Sequence, residues 1–80
     1  MAPLKTRTVP AISKAFGILE RIADSEAGLT LPELIACSGL AKSSVHYLLV
    51  TLERCGCVQR DGCTGRYVIG QKILKMARPS

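Results

Sequence analysis

The stretch from Leu29 to Gly56, LTLPELIACSGLAKSSVHYLLVTLERCG, constrains the fold of this chain more than any other. It reads as two helices joined by a tight turn that contains glycine, a helix-turn-helix. Thr30 stands three residues before Glu33, the spacing at which a hydroxyl caps the N3 N–H and the carboxylate returns to the N-cap N–H. Pro32 suits that first turn, where its missing N–H leaves no bond unmade. The helix then buries Leu34 and Ile35 and ends near Cys37 or Ser38, with Gly39 supplying a positive φ for a sharp turn and Leu40 filling the angle. So few residues separate Ser38 from Lys42 that the two helices must cross steeply.

The second helix can be read by its periodicity. At about 100° per residue, Val45, Leu48, Leu49 and Leu52 fall in one apolar arc. Ser43, Tyr47, Val50 and Arg54 occupy the opposite arc, flanked by Ser44, His46 and Thr51, with Lys42 in the first turn. Small hydroxyls beside a helix start let a phosphate approach the unpaired N–H groups, where the helix dipole favours negative charge. An ordinary amphipathic surface helix shows the same pattern, because periodicity reports burial and not partner. The rest of the chain has to decide.

Eighty residues with 48% hydrophobic content make one small domain with a limited core. The net charge is +5, and its distribution says more than its size. Through residue 39 the charges cancel: Lys5, Arg7, Lys14 and Arg21 stand against Glu20, Asp24, Glu26 and Glu33. From residue 40 onward Lys42, Arg54, Arg60, Arg66, Lys72, Lys75 and Arg78 face only Glu53 and Asp61. The whole excess therefore begins with the second helix, as a polyanion partner requires, although a solvated basic face has the same composition. Cys37, Cys55, Cys57 and Cys63 contain no C-x-x-C pair, and His46 is not at metal-ligand spacing from them, so no metal or other cofactor is expected. The N-terminus MAPLKTRTVP lacks the apolar core of a signal peptide, and no run approaches the length of a membrane span. The expected location is cytoplasmic, with the thiols reduced.

The flanking segments complete an architecture. Residues 1–9, polar and with two prolines nearby, are expected to form a flexible arm. A helix follows from about Pro10 to Asp24, with Ile12, Ala15, Phe16, Leu19, Ile22 and Ala23 on its inner stripe; Leu29 and Thr30 are extended and able to pair as a short strand. Beyond Gly56, Cys57 to Arg60 and Arg66 to Ile69 alternate sides around the turn residues Asp61 to Gly65, which predicts a β-hairpin. Tyr67 and Ile69 should cover the helices, leaving Arg66 and Val68 on the other face. Arg60 and Arg66 could lie on backbone phosphate or in a minor groove; they could equally protect an edge strand from aggregation. A last short helix begins near Gly70, with Ile73, Leu74 and Ala77 apolar, and stops at Pro79. The expected fold is mainly α with a small β-hairpin: a winged helix-turn-helix, a three-helix core plus wing and C-terminal linker helix, over residues 10–76. Residues 77–80 would be the start of a linker or a truncated end.

Residues 10–76 also resemble the N-terminal DNA-binding domain of the IclR (isocitrate lyase regulator) family of bacterial transcription factors. The resemblance rests on linked signatures: L-T-L-x-E-L from Leu29, G-L-x-K-S-S-V-H from Gly39, L-L-x-T-L-E from Leu48 and G-R-Y-x-I-G from Gly65. It implies sequence-specific binding of double-stranded operator DNA, with a palindromic operator and a homodimer in the parent protein, the recognition helix in the major groove and the basic wing on the backbone or in the minor groove. It also implies a C-terminal domain that binds a small-molecule effector and is absent from these residues, so that this chain is an excised or truncated piece. The candidate DNA-binding residues are Lys42, Ser43, Ser44, His46, Tyr47, Thr51, Arg54, Arg60, Thr64 and Arg66. Tyr47 stands where the family more often has Arg, which bears on the operator read. Two rival classes are weaker. A winged helix serving only protein–protein interaction would present an apolar or acidic outer face, which Val50 and Tyr47 alone supply. Catalysis would need more than His46 and Ser43 three residues apart without an orienting carboxylate.

Overall fold

Helix α1, Pro10–Asp24, opens with proline in its first turn and buries Ile18, Leu19 and Ile22. The computed structural model describes residues 9–79, so the arm expected at the N-terminus lies outside the described residues except for Val9. The inner stripe of α1 differs from the expected one: Ile18 is among the most deeply buried side chains, whereas Ile12, Phe16 and Ala23 are exposed. The helix is apolar over a wide arc, and its neighbours cover only the part centred on Ala15, Ile18, Leu19 and Ile22.

Helix α2, Leu31–Ser38, carries the complete capping box. The Glu33 N–H donates to Thr30 Oγ1 at 3.3 Å and the Thr30 N–H donates to Glu33 Oε1 at 2.8 Å. Gly39 ends it with φ 73°, and Ser38 braces the turn by accepting the Leu40 N–H at 3.2 Å. Helix α3, Lys42–Arg54, then departs at 118° to α2, a crossing proper to a helix-turn-helix. Its buried side chains are Val45, Leu48, Leu49 and Leu52, as the periodicity predicts.

Two short strands, β1 (Val58–Arg60) and β2 (Tyr67–Ile69), pair antiparallel with Val58 opposite Ile69 and Arg60 opposite Tyr67. Each is shorter by one residue than the alternation predicts. Leu29 adds a bridge to Tyr67, with N–H···O distances of 3.1 and 2.7 Å in the two directions, so the loop after α1 becomes a third rung beside the hairpin. Helix α4, Gln71–Met76, follows, and its start is tied to the end of α3: the Gly70 N–H donates to Cys57 O and the Lys72 N–H to Gly56 O.

The core joins all these elements except α4: Ile18, Leu19 and Ile22 from α1, Leu34 from α2, the α3 arc, Val58 from β1 and Tyr67 from β2. Ile73 of α4 packs against its edge. With one face of α3 so occupied, its opposite face is held outward between α1 on one side and the wing on the other.

Candidate nucleic-acid interface

The outward face of α3 presents Lys42, Ser43, His46, Tyr47, Thr51 and Arg54 as exposed side chains, with Ser44 and Val50 half-buried at its margins. The helix starts without a side-chain cap: its N-cap residue is Ala41. The N–H groups of its first turn therefore keep their donors pointed outward, beside the hydroxyls of Ser43 and Ser44. Of the two helices of the helix-turn-helix, α2 has its start sealed by Thr30 and Glu33, whereas α3 leaves its own start open to an anion.

The face has two flanks. On the wing side His46 borders an open cleft of about 490 Å³, whose walls also include Pro32, Arg60, Thr64 and Tyr67. The structure thus brings together α3, the start of α2 and the wing tip around one depression. On the α1 side Ser44 and Tyr47 line a shallow depression with Ala11 and Lys14. Lys14 is the residue that sequence reasoning missed. Its place beside the face is a tertiary event with no counterpart in local pattern, since it lies far from α3 along the chain. Thr51 contributes less freedom than expected, because its hydroxyl donates to the Tyr47 carbonyl at 3.0 Å.

The wing tip is built by Asp61, whose Oδ1 accepts the N–H groups of Cys63 at 2.8 Å and Thr64 at 3.3 Å. Arg60 and Thr64 project from it as exposed side chains. Arg66 does not join them. Its Nη1 turns back to donate to the Gly28 carbonyl at 3.0 Å and to Glu33 Oε1 at 3.2 Å. Strand alternation misplaces it because β2 begins only at Tyr67, so Arg66 belongs to the turn and the pleat does not fix its direction. Glu33 is held below the ordinary carboxylate value of 4.5 chiefly by the Thr30 N–H; desolvation opposes this, and the charge of Arg66 adds to the lowering. It is thus charged at neutral pH, and the stability it contributes is present above that value and lost only as pH falls through the depressed one.

Bordering this face at Tyr47, an apolar groove of about 390 Å³ between α1, α3 and α4 is lined also by Ile12, Phe16, Leu48, Ile73 and Met76. Among the described residues no three His, Cys, Asp or Glu side chains converge as metal ligands would, and the four cysteines are free thiols. Among the described residues no single helix is long and apolar enough to cross a membrane.

This arrangement is one that known proteins share. The family model for the IclR helix-turn-helix domain matches residues 11–62. The chain is 33% identical over 70 residues to the glycerol operon regulatory protein of Streptomyces coelicolor, an alignment covering 88% of this chain and 28% of that protein. It is 35% identical over 65 residues to the transcriptional repressor IclR of Escherichia coli, covering 81% of this chain and 24% of that one. The crystal structure of the Agobacterium tumefaciens repressor BlcR superposes with a TM-score of 0.77 at 34% identity, over 88% of this chain and 28% of the other. The chain thus spans about a quarter of the length of the curated relatives it matches, which are regulators and not enzymes. Sequence signatures, winged fold and relatives agree: the chain belongs to the IclR helix-turn-helix family.

Proposed function

We propose that this domain binds double-stranded DNA sequence-specifically as part of a bacterial transcription regulator in the cytoplasm, with α3 in the major groove and the wing on the flanking backbone or minor groove. The observation that carries the reading is the outward face of α3, uncapped at its start and polar along its length, standing beside a wing that projects Arg60. Lys42, Arg54 and Arg60 serve as phosphate partners, while Ser43, Ser44, His46 and Tyr47 reach base edges or nearby backbone. Thr51 and Thr64 lie at the edges of the contact, and Lys14 adds a cation on the α1 side.

One small domain with a single recognition helix reads one half-site, so the parent regulator acts as a homodimer on a palindromic operator. The apolar groove between α1, α3 and α4 is a surface open to such pairing. Small-molecule control belongs to a C-terminal effector domain of the parent protein, outside these residues. Tyr47 sets part of the operator preference. Selection from a pool of random duplexes should therefore enrich one motif with the wild-type chain and a different or looser motif with Tyr47→Ala. An unenriched pool with the wild type would contradict sequence-specific reading, and identical motifs from both proteins would move Tyr47 to the backbone.

A further inference from the structure

We infer that Arg66 is a positioning residue of the wing, a clamp that acts on DNA through Arg60 and makes no phosphate contact itself. The inference rests on the DNA-binding reading and deepens it. One guanidinium joins three parts of the chain that are distant in sequence: the turn before β2, the loop after α1 through the Gly28 carbonyl, and the start of α2 through Glu33. Its main chain is fixed as well, because the Asp61 N–H donates to the Arg66 carbonyl at 2.8 Å and the Arg66 N–H donates to Thr64 Oγ1 at 3.2 Å. Both ends of the wing turn are thus referred to the residue whose side chain is anchored on the helix-turn-helix.

The surroundings are shaped for this contact. Gly28 has φ +85°, and a Cβ there would come 2.6 Å from the Tyr67 carbonyl, so only glycine lets the loop lie against β2 and offer its own carbonyl to Arg66. The adjacent Leu29–Tyr67 bridge closes the same junction. Glu33 is engaged twice, by the Thr30 N–H and by Arg66, so the capping box that starts α2 is also the wing's point of attachment. The two hydrogens of Nη1 satisfy these two acceptors at once. Drawing the guanidinium out to a phosphate would break both bonds and leave Glu33 without its cation near a polyanion.

The test is a double-mutant cycle between Arg66→Ala and Arg60→Ala, read as affinity and salt slope on a random-sequence duplex with the 80-residue chain. The clamp predicts that Arg66→Ala weakens binding several-fold and moves the slope toward that of Arg60→Ala, and that in the Arg60→Ala background it changes neither. A further slope loss of about 0.9 in that background, or unaltered binding in the wild-type background, would overturn it. Glu33→Gln keeps the capping box and weakens the ionic tie, so it serves as a second probe should Arg66→Ala melt too early. It should weaken wild-type binding although it removes a negative charge; tighter binding would mean that freed Arg66 seeks phosphate, and would overturn the clamp. A wild-type chain that fails to bind duplex at any salt overturns the DNA reading and the clamp together, and the wild type alone reveals that case.

Discussion

Leu49→Ala should destabilise the domain by about 2 to 5 kcal/mol, the loss of buried methyl groups plus the cavity left behind. Leu49 is fully buried at the centre of the α3 arc, among side chains contributed by all three core helices and both strands. Small domains sit toward the lower end of the usual stability range of about 5 to 15 kcal/mol, so the loss is a large share of the total. At roughly 4 to 8 °C per kcal/mol for a domain of about 60 to 100 residues, the melting temperature should drop by about 10 °C or more. Ser43→Ala, on the exposed face of the same helix, should melt with the wild type and show its effect in binding alone. Equal melting of all three proteins would mean that α3 is rotated about its axis and that Leu49 does not face the core.

Gly28→Ala is the second large effect. The new Cβ would meet the Tyr67 carbonyl and the Val68 side chain, at 2.6 and 2.9 Å, and the backbone would hold alanine at φ +85°. Left-handed strain and forced overpacking together should cost about 2 to 4 kcal/mol. The damage should be local at first: amide exchange at Leu29 and Tyr67, whose N–H groups form the bridge, should rise before that of α3. Gly17→Ala makes the control. It sits inside α1 with nothing within 4 Å of the new Cβ, so the change should stabilise by about 0.5 to 1 kcal/mol. If Gly28→Ala melted with the wild type, the loop could not lie so close against β2.

The contrast between these two glycines shows what the sequence makes legible. Signals confined to one element are readable: the Thr30–Glu33 capping box, Gly39 as a turn, the α3 arc, and the hairpin with its Asp61–Gly65 turn all stand where local chemistry puts them. What is not readable depends on which neighbour arrives. The wide apolar arc of α1 offers Ile12 and Phe16 as readily as Ile18, and only the packing of α2, α3 and β2 decides that Ile18 is covered and Phe16 is left on the groove. Lys14 comes beside Tyr47, and Arg66 reaches Gly28 and Glu33, through contacts between segments remote along the chain. For the proposed interface, then, α3 and Arg60 follow from pattern, whereas the anchoring of the wing follows only from the folded arrangement.

The most direct test of the central claim is the salt dependence of duplex binding by the wild-type chain. Lys42, Arg54 and Arg60 as three phosphate partners, at about 0.9 each, give a slope of log K against log salt near roughly −2.7. A slope of that order, measured on random duplex and steepened on the selected motif only by contacts added there, is the expected result. Binding that is indifferent to salt would contradict the claim that α3 and the wing form a nucleic-acid interface.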